Sequence, residues 1–315
     1  MSDRQPLRIA VLGLGRWGRT WIPVPQRNPD VVVAATAGGR RDGLGLAADV
    51  PHDATAAEAI ARPGLDAVLV TLPVARHLEA VRTATGRGLH VLVEKPAVGT
   101  SAELAELRAL AAGASTVVMV GQNYRERPWA VAAREQVAAL GPLSQVHVDV
   151  ARTELLDGGR GELAHPLLDD LAIHHLDLLR HLTGEEASVV AAFSGRPPWS
   201  AYPGLSDVTA VLRLAGGAAV TYAGTWAARG RQTPYDGDWT FRGAHGCVEV
   251  RDLVVSRDGQ RVPLAAADEV PDADLGGVLR TFVAAVRDGA PVPTDVEDHA
   301  RSLGLTLALR NAAVP

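Results

Sequence analysis

The chain has 315 residues, 47% hydrophobic and 21% charged, with a formal net charge of −5. This length exceeds what one hydrophobic core usually serves and points to two domains, and the composition is globular, not disordered. The acidic balance offers no basic footprint for nucleic acid, and no apolar run approaches the roughly 18–20 residues that a membrane helix needs.

The opening, MSDRQPLRIAVLGLG, enters a strand with no charged-then-apolar leader, and the one cysteine, Cys247, cannot form an internal disulfide. Both observations lead us to expect a cytoplasmic protein. LRIAVLGLG (7–15) is a short apolar run ending in glycines, as in a strand buried on both faces. A helix start follows, disturbed by Pro23 and Pro25. Further strands are predicted at 31–36, 65–73, 89–96 and 115–123, with helices at 78–88 and 101–113. Alternation of this kind implies a parallel sheet covered on both sides.

The first strand-to-helix turn reads GLGRWG, so Gly13, Gly15 and Gly18 have the G-x-G-x-x-G spacing. The first glycine permits the tight turn, the second lets a pyrophosphate approach the backbone, and the third packs helix on strand. The spacing predicts a dinucleotide site. An NAD site usually has Asp or Glu at the end of the second strand to bind the ribose 2′-hydroxyl. Here that end reads TAGGRRDG, with no carboxylate at the expected place and two guanidiniums, Arg40 and Arg41, following it. Arginine suits a phosphate, because its fork binds two oxygens at once. NADP is therefore the expected cofactor, with NAD the alternative.

The fourth strand ends in EKP, and its Lys95 is the only lysine among 31 basic residues. An arginine keeps its proton at any relevant pH, whereas burial and neighbouring charge can tune a lysine amine. A lone amine in an arginine-rich chain thus suggests proton handling.

From about residue 124 the pattern changes. Strands are predicted at 144–152, 188–195, 206–226 (with a Gly-Gly hairpin turn) and 246–256, followed by two closing helices. Few helices separate these strands, which suggests a mostly antiparallel sheet. Within this half, LLDDLAIHHLDLLRHLTG (167–184) reads as a helix capped by Asp169 or Asp170 and closed by Gly184. At about 100° per residue, Asp170, His174, Asp177 and His181 form a stripe roughly 60° wide on an otherwise apolar cylinder. Buried polar groups need partners. A structural hydrogen-bond network, a metal site and acid–base chemistry all remain open from the residues alone.

Together, G-x-G-x-x-G, E-K-P and D-x-x-x-H resemble the glucose–fructose oxidoreductase/inositol dehydrogenase/MocA family. The resemblance covers nearly the whole chain. It includes TLPVARH with Pro73 and His77, GQNYRERP (121–128) and PVPTDVEDHARSLGLTLAL. It implies an N-terminal doubly wound Rossmann domain (1–122) that binds the dinucleotide. An α+β domain with a mostly antiparallel open sheet (123–315) would bind substrate and form a dimer or tetramer, its terminal helix packing back toward the first domain.

By the same resemblance Lys95, Asp170 and His174 line the substrate pocket, with Lys95 and His174 moving the hydroxyl proton. Gly13, Gly15, Arg16, Trp17, Gly18, Pro73, His77, Glu94 and Lys95 would serve the cofactor, alongside Arg40 and Arg41. No metal is expected. The activity implied is hydride transfer between a nicotinamide and a secondary alcohol or ketone, on a sugar, cyclitol or nucleotide sugar. Reduction of a non-sugar ketone or imine, a lyase or glycosidase with retained cofactor, and a non-catalytic NADP-binding regulator are the alternatives.

Overall fold

The computed structural model describes residues 5–153, 161–265 and 274–314. It divides into two compact units. One runs to Asn123 and resumes through Ala300, and the other comprises the chain from Tyr124 and again from Arg301. Among the described residues no helix is long and apolar enough to cross a membrane.

In the first unit six parallel strands form one sheet: β1 (Leu7–Leu14), β2 (Val31–Gly39), β3 (His52–Asp53), β4 (Ala67–Val70), β5 (His90–Glu94) and β6 (Val118–Gly121). Their order is β3-β2-β1-β4-β5-β6. The chain therefore reverses direction of travel across the sheet between β1 and β4, where ligands bind beyond the carboxyl ends of strands in open α/β sheets. Helices α1 (Arg16–Trp21), α2 (Pro23–Arg27), α3 (Ala56–Ile60), α4 (His77–Gly86) and α5 (Ser101–Gly113) connect the strands. As expected, the prolines divide the first connection: α1 stops at Trp21, and Pro23 starts α2 at a position where its missing N–H costs nothing. Central strands such as AVLV of β4 are buried throughout, which explains their unbroken apolar sequence.

The second unit begins with α6 (Pro128–Ala138) and β7 (Leu143–Ala151). A π-helical segment, Leu167–Ala172, then leads into α7 (Ile173–Thr183). The sheet is completed by β8 (Ala187–Gly195), β9 (Asp207–Leu214), β10 (Ala219–Thr225), β11 (Asp238–Gly243), β12 (Gly246–Arg251), β13 (Val254–Arg257) and β14 (Gln260–Arg261). Helix α8 (Leu275–Asp288) and the first residues of α9 (Val296–Ala312) cluster with the first unit's sheet, while the rest of α9 and β15 (Ala313–Val314) belong to the second.

The nine strands are ordered β14-β13-β12-β11-β7-β10-β9-β8-β15, antiparallel except at β7–β10 and β8–β15. Strands β8 to β10 alternate buried and exposed residues, so one face packs on α7 and the other is open.

Two expectations need correction. The run GCVEVRDLVVS is not one strand. It turns back at Asp252 and Leu253, both at positive φ, to form the β12–β13 hairpin. Neither Asp169 nor Asp170 caps the long helix, because the helical run already starts at Leu167, with Pro166 in the capping position. Gly184 does close it, at φ 69°.

Candidate active site

Three loops of the first unit emerge at the carboxyl ends of neighbouring strands. The glycine turn follows β1, residues 71–77 follow β4, and the EKP turn follows β5. In the glycine turn Gly13 has φ 102°, and a Cβ there would lie 2.8 Å from the Thr71 carbonyl and the Leu72 nitrogen. A Cβ on Gly18 would fall 1.8 Å from the Gly13 carbonyl oxygen. Gly15, between them, has nothing within 4 Å of that position. Two glycines thus permit close protein packing, and the third leaves its backbone open to a ligand. This arrangement fits the pyrophosphate of a dinucleotide. Arg16 is exposed and Trp17 half-buried beside it.

The loops are tied together by residues that the sequence reading did not single out. Thr71 Oγ1 donates to the Gly13 carbonyl at 2.6 Å, joining the β4 loop to the glycine turn. Trp21 Nε1 donates to Glu94 Oε1 at 2.5 Å, and the Lys95 amide donates to Glu94 Oε2 at 3.1 Å. Both oxygens of Glu94, expected at the cofactor, are therefore engaged within the protein. Burial pushes this carboxyl above its usual range, and the indole N–H and the Lys95 charge pull it back.

His77 is likewise buried. Its Nε2 lies 2.6 Å from the Leu72 carbonyl and its Nδ1 3.2 Å from the Pro96 carbonyl. It joins the β4 loop to the EKP turn, while Pro73 is exposed. Lys95 is half-buried, and the Lys95–Pro96 peptide is cis.

The two arginines after β2 differ. Arg41 donates to the Val50 and Ala47 carbonyls, so its guanidinium holds its own loop. Arg40 is exposed and pairs with Asp42 at 2.8 Å. Arg19 braces this loop by donating to the carbonyls of Arg40 (2.8 Å) and Asp42 (2.7 Å).

In the second unit every residue from Leu171 to Arg180 is buried, in keeping with the apolar circumference of the helix. The polar stripe does not act as a set. Asp177 receives Arg125 through two hydrogen bonds (2.7 and 2.5 Å) and Ser302 Oγ at 2.7 Å. Arg180 reaches Ser302 at 2.6 Å and Glu186 at 2.7 and 2.8 Å. Arg125, Asp177, Arg180 and Ser302 are buried, and Glu186 closes the structural network at the surface. His175 faces the Tyr222 hydroxyl at 3.0 Å and the Tyr235 carbonyl at 2.7 Å.

His174 points elsewhere and stacks on Tyr124, with ring centroids 3.9 Å apart and 7° between planes. Asp170 lies half-buried in the π-helical segment. The wider i→i+5 turn there displaces Asp170 from the angle that an α-helical wheel assigns it, and such turns recur at functional sites.

Comparison with known proteins agrees with these features. Residues 7–122 match the oxidoreductase family with an NAD-binding Rossmann fold, and residues 131–249 match the GFO/IDH/MocA C-terminal domain. The chain belongs to this family. It is 32% identical to an inositol 2-dehydrogenase of Streptomyces avermitilis over 69% of this chain and 65% of that protein. It is 27% identical to the rhizopine catabolism protein MocA of Rhizobium meliloti over 96% and 93% of the two chains. Among solved structures, an aldose-aldose oxidoreductase from Caulobacter crescentus shares the fold at TM-score 0.84 and 23% identity, covering 98% of both chains. The GFO/IDH/MocA chain described here is thus an NAD(P)-binding oxidoreductase.

Proposed function

We propose that this enzyme transfers hydride between NADP(H) and a secondary alcohol or ketone of a sugar or cyclitol, in the cytoplasm and as a dimer or tetramer. The observation that carries the reading is the position of Lys95. The only lysine side chain of the protein lies at the carboxyl end of β5, in the loop cluster that includes the open glycine turn. The names of the inositol and aldose relatives support a polyol substrate.

The nicotinamide, when bound, supplies the carbon that accepts or gives hydride. The chain's residues do the rest. Gly15 leaves room for the pyrophosphate at its backbone, and exposed Arg40 is the guanidinium available to a 2′-phosphate. As an alcohol is oxidised, its hydroxyl proton must leave with the hydride departing from carbon. Lys95 or His174 takes that proton and returns it in the reverse direction, with Asp170 orienting the hydroxyl. Tyr124 fixes the plane of His174, which sets the direction in which a ring nitrogen can reach.

The open face of the second sheet carries exposed Phe193 and Val211 beside half-buried Ala191, which supports pairing of two copies there. Light scattering tests that pairing.

The decisive experiment is a screen of sugars, cyclitols, ketones and imines with NADP(H) and NAD(H), read at the nicotinamide absorbance band. Turnover of a polyol with NADP as the better coenzyme is the expected result. Turnover confined to imines, or to NAD, would overturn the corresponding part of the reading.

A further inference from the structure

We propose that His299 is a positioning residue for Lys95, acting through the turn that carries the lysine. The inference rests on the proton role given to Lys95 above. Three backbone groups of the turn are held by side chains, two of them from outside the strand. The Lys95 amide donates to Glu94 Oε2 at 3.1 Å, the Pro96 carbonyl faces His77 Nδ1 at 3.2 Å, and the Ala97 amide donates to His299 Nε2 at 3.2 Å. Ala97, His77 and His299 are all buried. An Ala97 N–H stripped of its acceptor would be a buried unsatisfied donor, and the backbone would shift to relieve it.

The chemistry of the ring is fixed by its neighbours. A backbone amide can only donate, so Nε2 of His299 carries the lone pair and Nδ1 carries the hydrogen. The atom facing Nδ1, at 3.2 Å, is Nε2 of the buried side-chain amide of Gln122, and a half-turn of that amide puts its oxygen there instead. With its oxygen toward the ring, Gln122 accepts that hydrogen and both groups are satisfied. With Nε2 toward the ring, two N–H groups confront each other and Oε1 is buried with no partner, so the hydrogen-bond pattern assigns the amide the opposite orientation, its oxygen and nitrogen exchanged. Gln122 thus selects the tautomer that offers an acceptor to Ala97.

The support beneath His299 is rigid. Its own amide bonds to the Asp295 carbonyl at 2.9 Å, and Asp295 bridges to Met119 at the β6 strand. Thr294 Oγ1 donates to the Val120 carbonyl at 2.8 Å, and Arg108 of α5 grips Glu297 at 2.8 and 2.7 Å. The start of α9 is therefore fastened to the sheet. From that base an imidazole reaches the amide two residues beyond Lys95, with a proline between them.

The test uses the fact that Lys95 is the only lysine. Reductive ¹³C-methylation of the full-length protein labels Lys95 and the terminal amine alone, giving one lysine resonance whose position and pH titration can be followed. His299→Leu removes the acceptor, His299→Asn withdraws it from reach, and His299→Gln restores an oxygen near the Nε2 position. The Leu and Asn variants are expected to shift the Lys95 resonance and its titration, and the Gln variant to leave both near wild type. If Leu does not fold, Asn carries the same expectation.

Kinetically, His299→Asn should lower kcat about 10-fold with the coenzyme KM within about 2-fold. Combined with Lys95→Ala it should add no further loss, because both changes act on one group. An unmoved Lys95 signal, or losses that multiply in the double variant, would overturn the inference. Full activity of Lys95→Ala alone would instead remove the proton role of Lys95, while the resonance would still report whether His299 positions it.

Discussion

Tyr124 and His174 lie parallel with their ring centroids 3.9 Å apart, and the Arg127 guanidinium sits 3.5 Å from the centroid of the same tyrosine. A ring has two faces, and at these distances each is taken by one partner. Arg127 is itself held by Asp236 at 2.5 Å, and Asp236 also accepts from Trp129 Nε1 at 2.8 Å. The histidine plane is therefore set by a chain of contacts that ends in the core of the second unit. Tyr124→Phe keeps both faces and should retain most of kcat. Tyr124→Ala releases His174 and should cost about 10-fold or more. Steady-state kinetics on the two variants checks this, and equal rates for both would show that the stack does no orienting.

Lys95→Arg separates charge from proton transfer. It keeps a cation at the end of β5 but one that holds its proton at any working pH. If the amine must give and take a proton, kcat should fall by a factor on the order of 10² or more while coenzyme affinity stays close to wild type. Coenzyme titration by fluorescence alongside kcat distinguishes the two effects. Full activity of the arginine variant would leave Lys95 no more than a positive charge.

The parallel sheet of the first unit was legible because its central strands contain uninterrupted apolar runs and the glycines of the turn keep a fixed spacing, two of them meeting packing demands and Gly15 leaving its backbone open. What the sequence hides is which polar residues pair. Asp177 and His174 share a helical stripe, yet one is bound in an ion network and the other stacks on an aromatic ring. A wheel drawn at a constant angle cannot anticipate a π-turn at residues 167–172. The hairpin at Asp252-Leu253 lacks the Asn-Gly or Asp-Gly signal that usually marks such a turn. Helix α6 and strand β11 also lay outside the reading. Gln122 meets His299 across 177 residues of chain, a separation at which no periodicity speaks.

Two adjacent arginines in the sequence become two different tools in the structure. Arg41 is spent on the carbonyls of Ala47 and Val50, whereas Arg40 is exposed and pairs with the exposed Asp42. Arg40→Ala should therefore narrow the preference for NADPH over NADH about 10-fold or more, as expected for loss of a charge-assisted contact to phosphate. Arg41→Ala should instead loosen the loop and weaken both coenzymes alike. Dissociation constants for the two coenzymes decide the matter. A preference altered by Arg41→Ala alone would reverse the assignment.

Asp177 is 1% exposed and neutralises Arg125, which is 8% exposed. Removing one partner of a buried pair leaves the other charge uncompensated, at a cost of about 3–5 kcal/mol. Asp177→Asn should lower the urea midpoint accordingly. Removing both charges, with Arg125→Met and Asp177→Leu, should recover part of the loss. An unfolding free energy within about 0.5 kcal/mol of wild type for the single variant would exclude the network as a structural element.

Burial pushes the imidazole of His77 below its usual 6.5, the Leu72 and Pro96 carbonyls drawing it only partly back, and His90 is lowered by burial as well. The sign follows from where the proton binds first. With the folded value depressed, the unfolded chain takes up protons as the pH falls below 6.5 while these folded imidazoles still resist them. The stability they contribute is complete above that pH and is lost progressively down to the folded-state values. Glu94 and Asp169, whose folded values are raised chiefly by burial, act in the opposite sense: their contribution is lost as the pH rises through those values. A raw melting curve therefore mixes both trends, and a difference experiment isolates the imidazole. His77→Gln keeps a hydrogen-bonding side chain between the two loops but cannot titrate. Its Tm should fall less than that of the wild type between about pH 7.5 and about pH 5.5. Parallel Tm curves for the two proteins over that interval would mean that His77 takes up its proton equally well folded and unfolded, and that its burial carries no electrostatic cost.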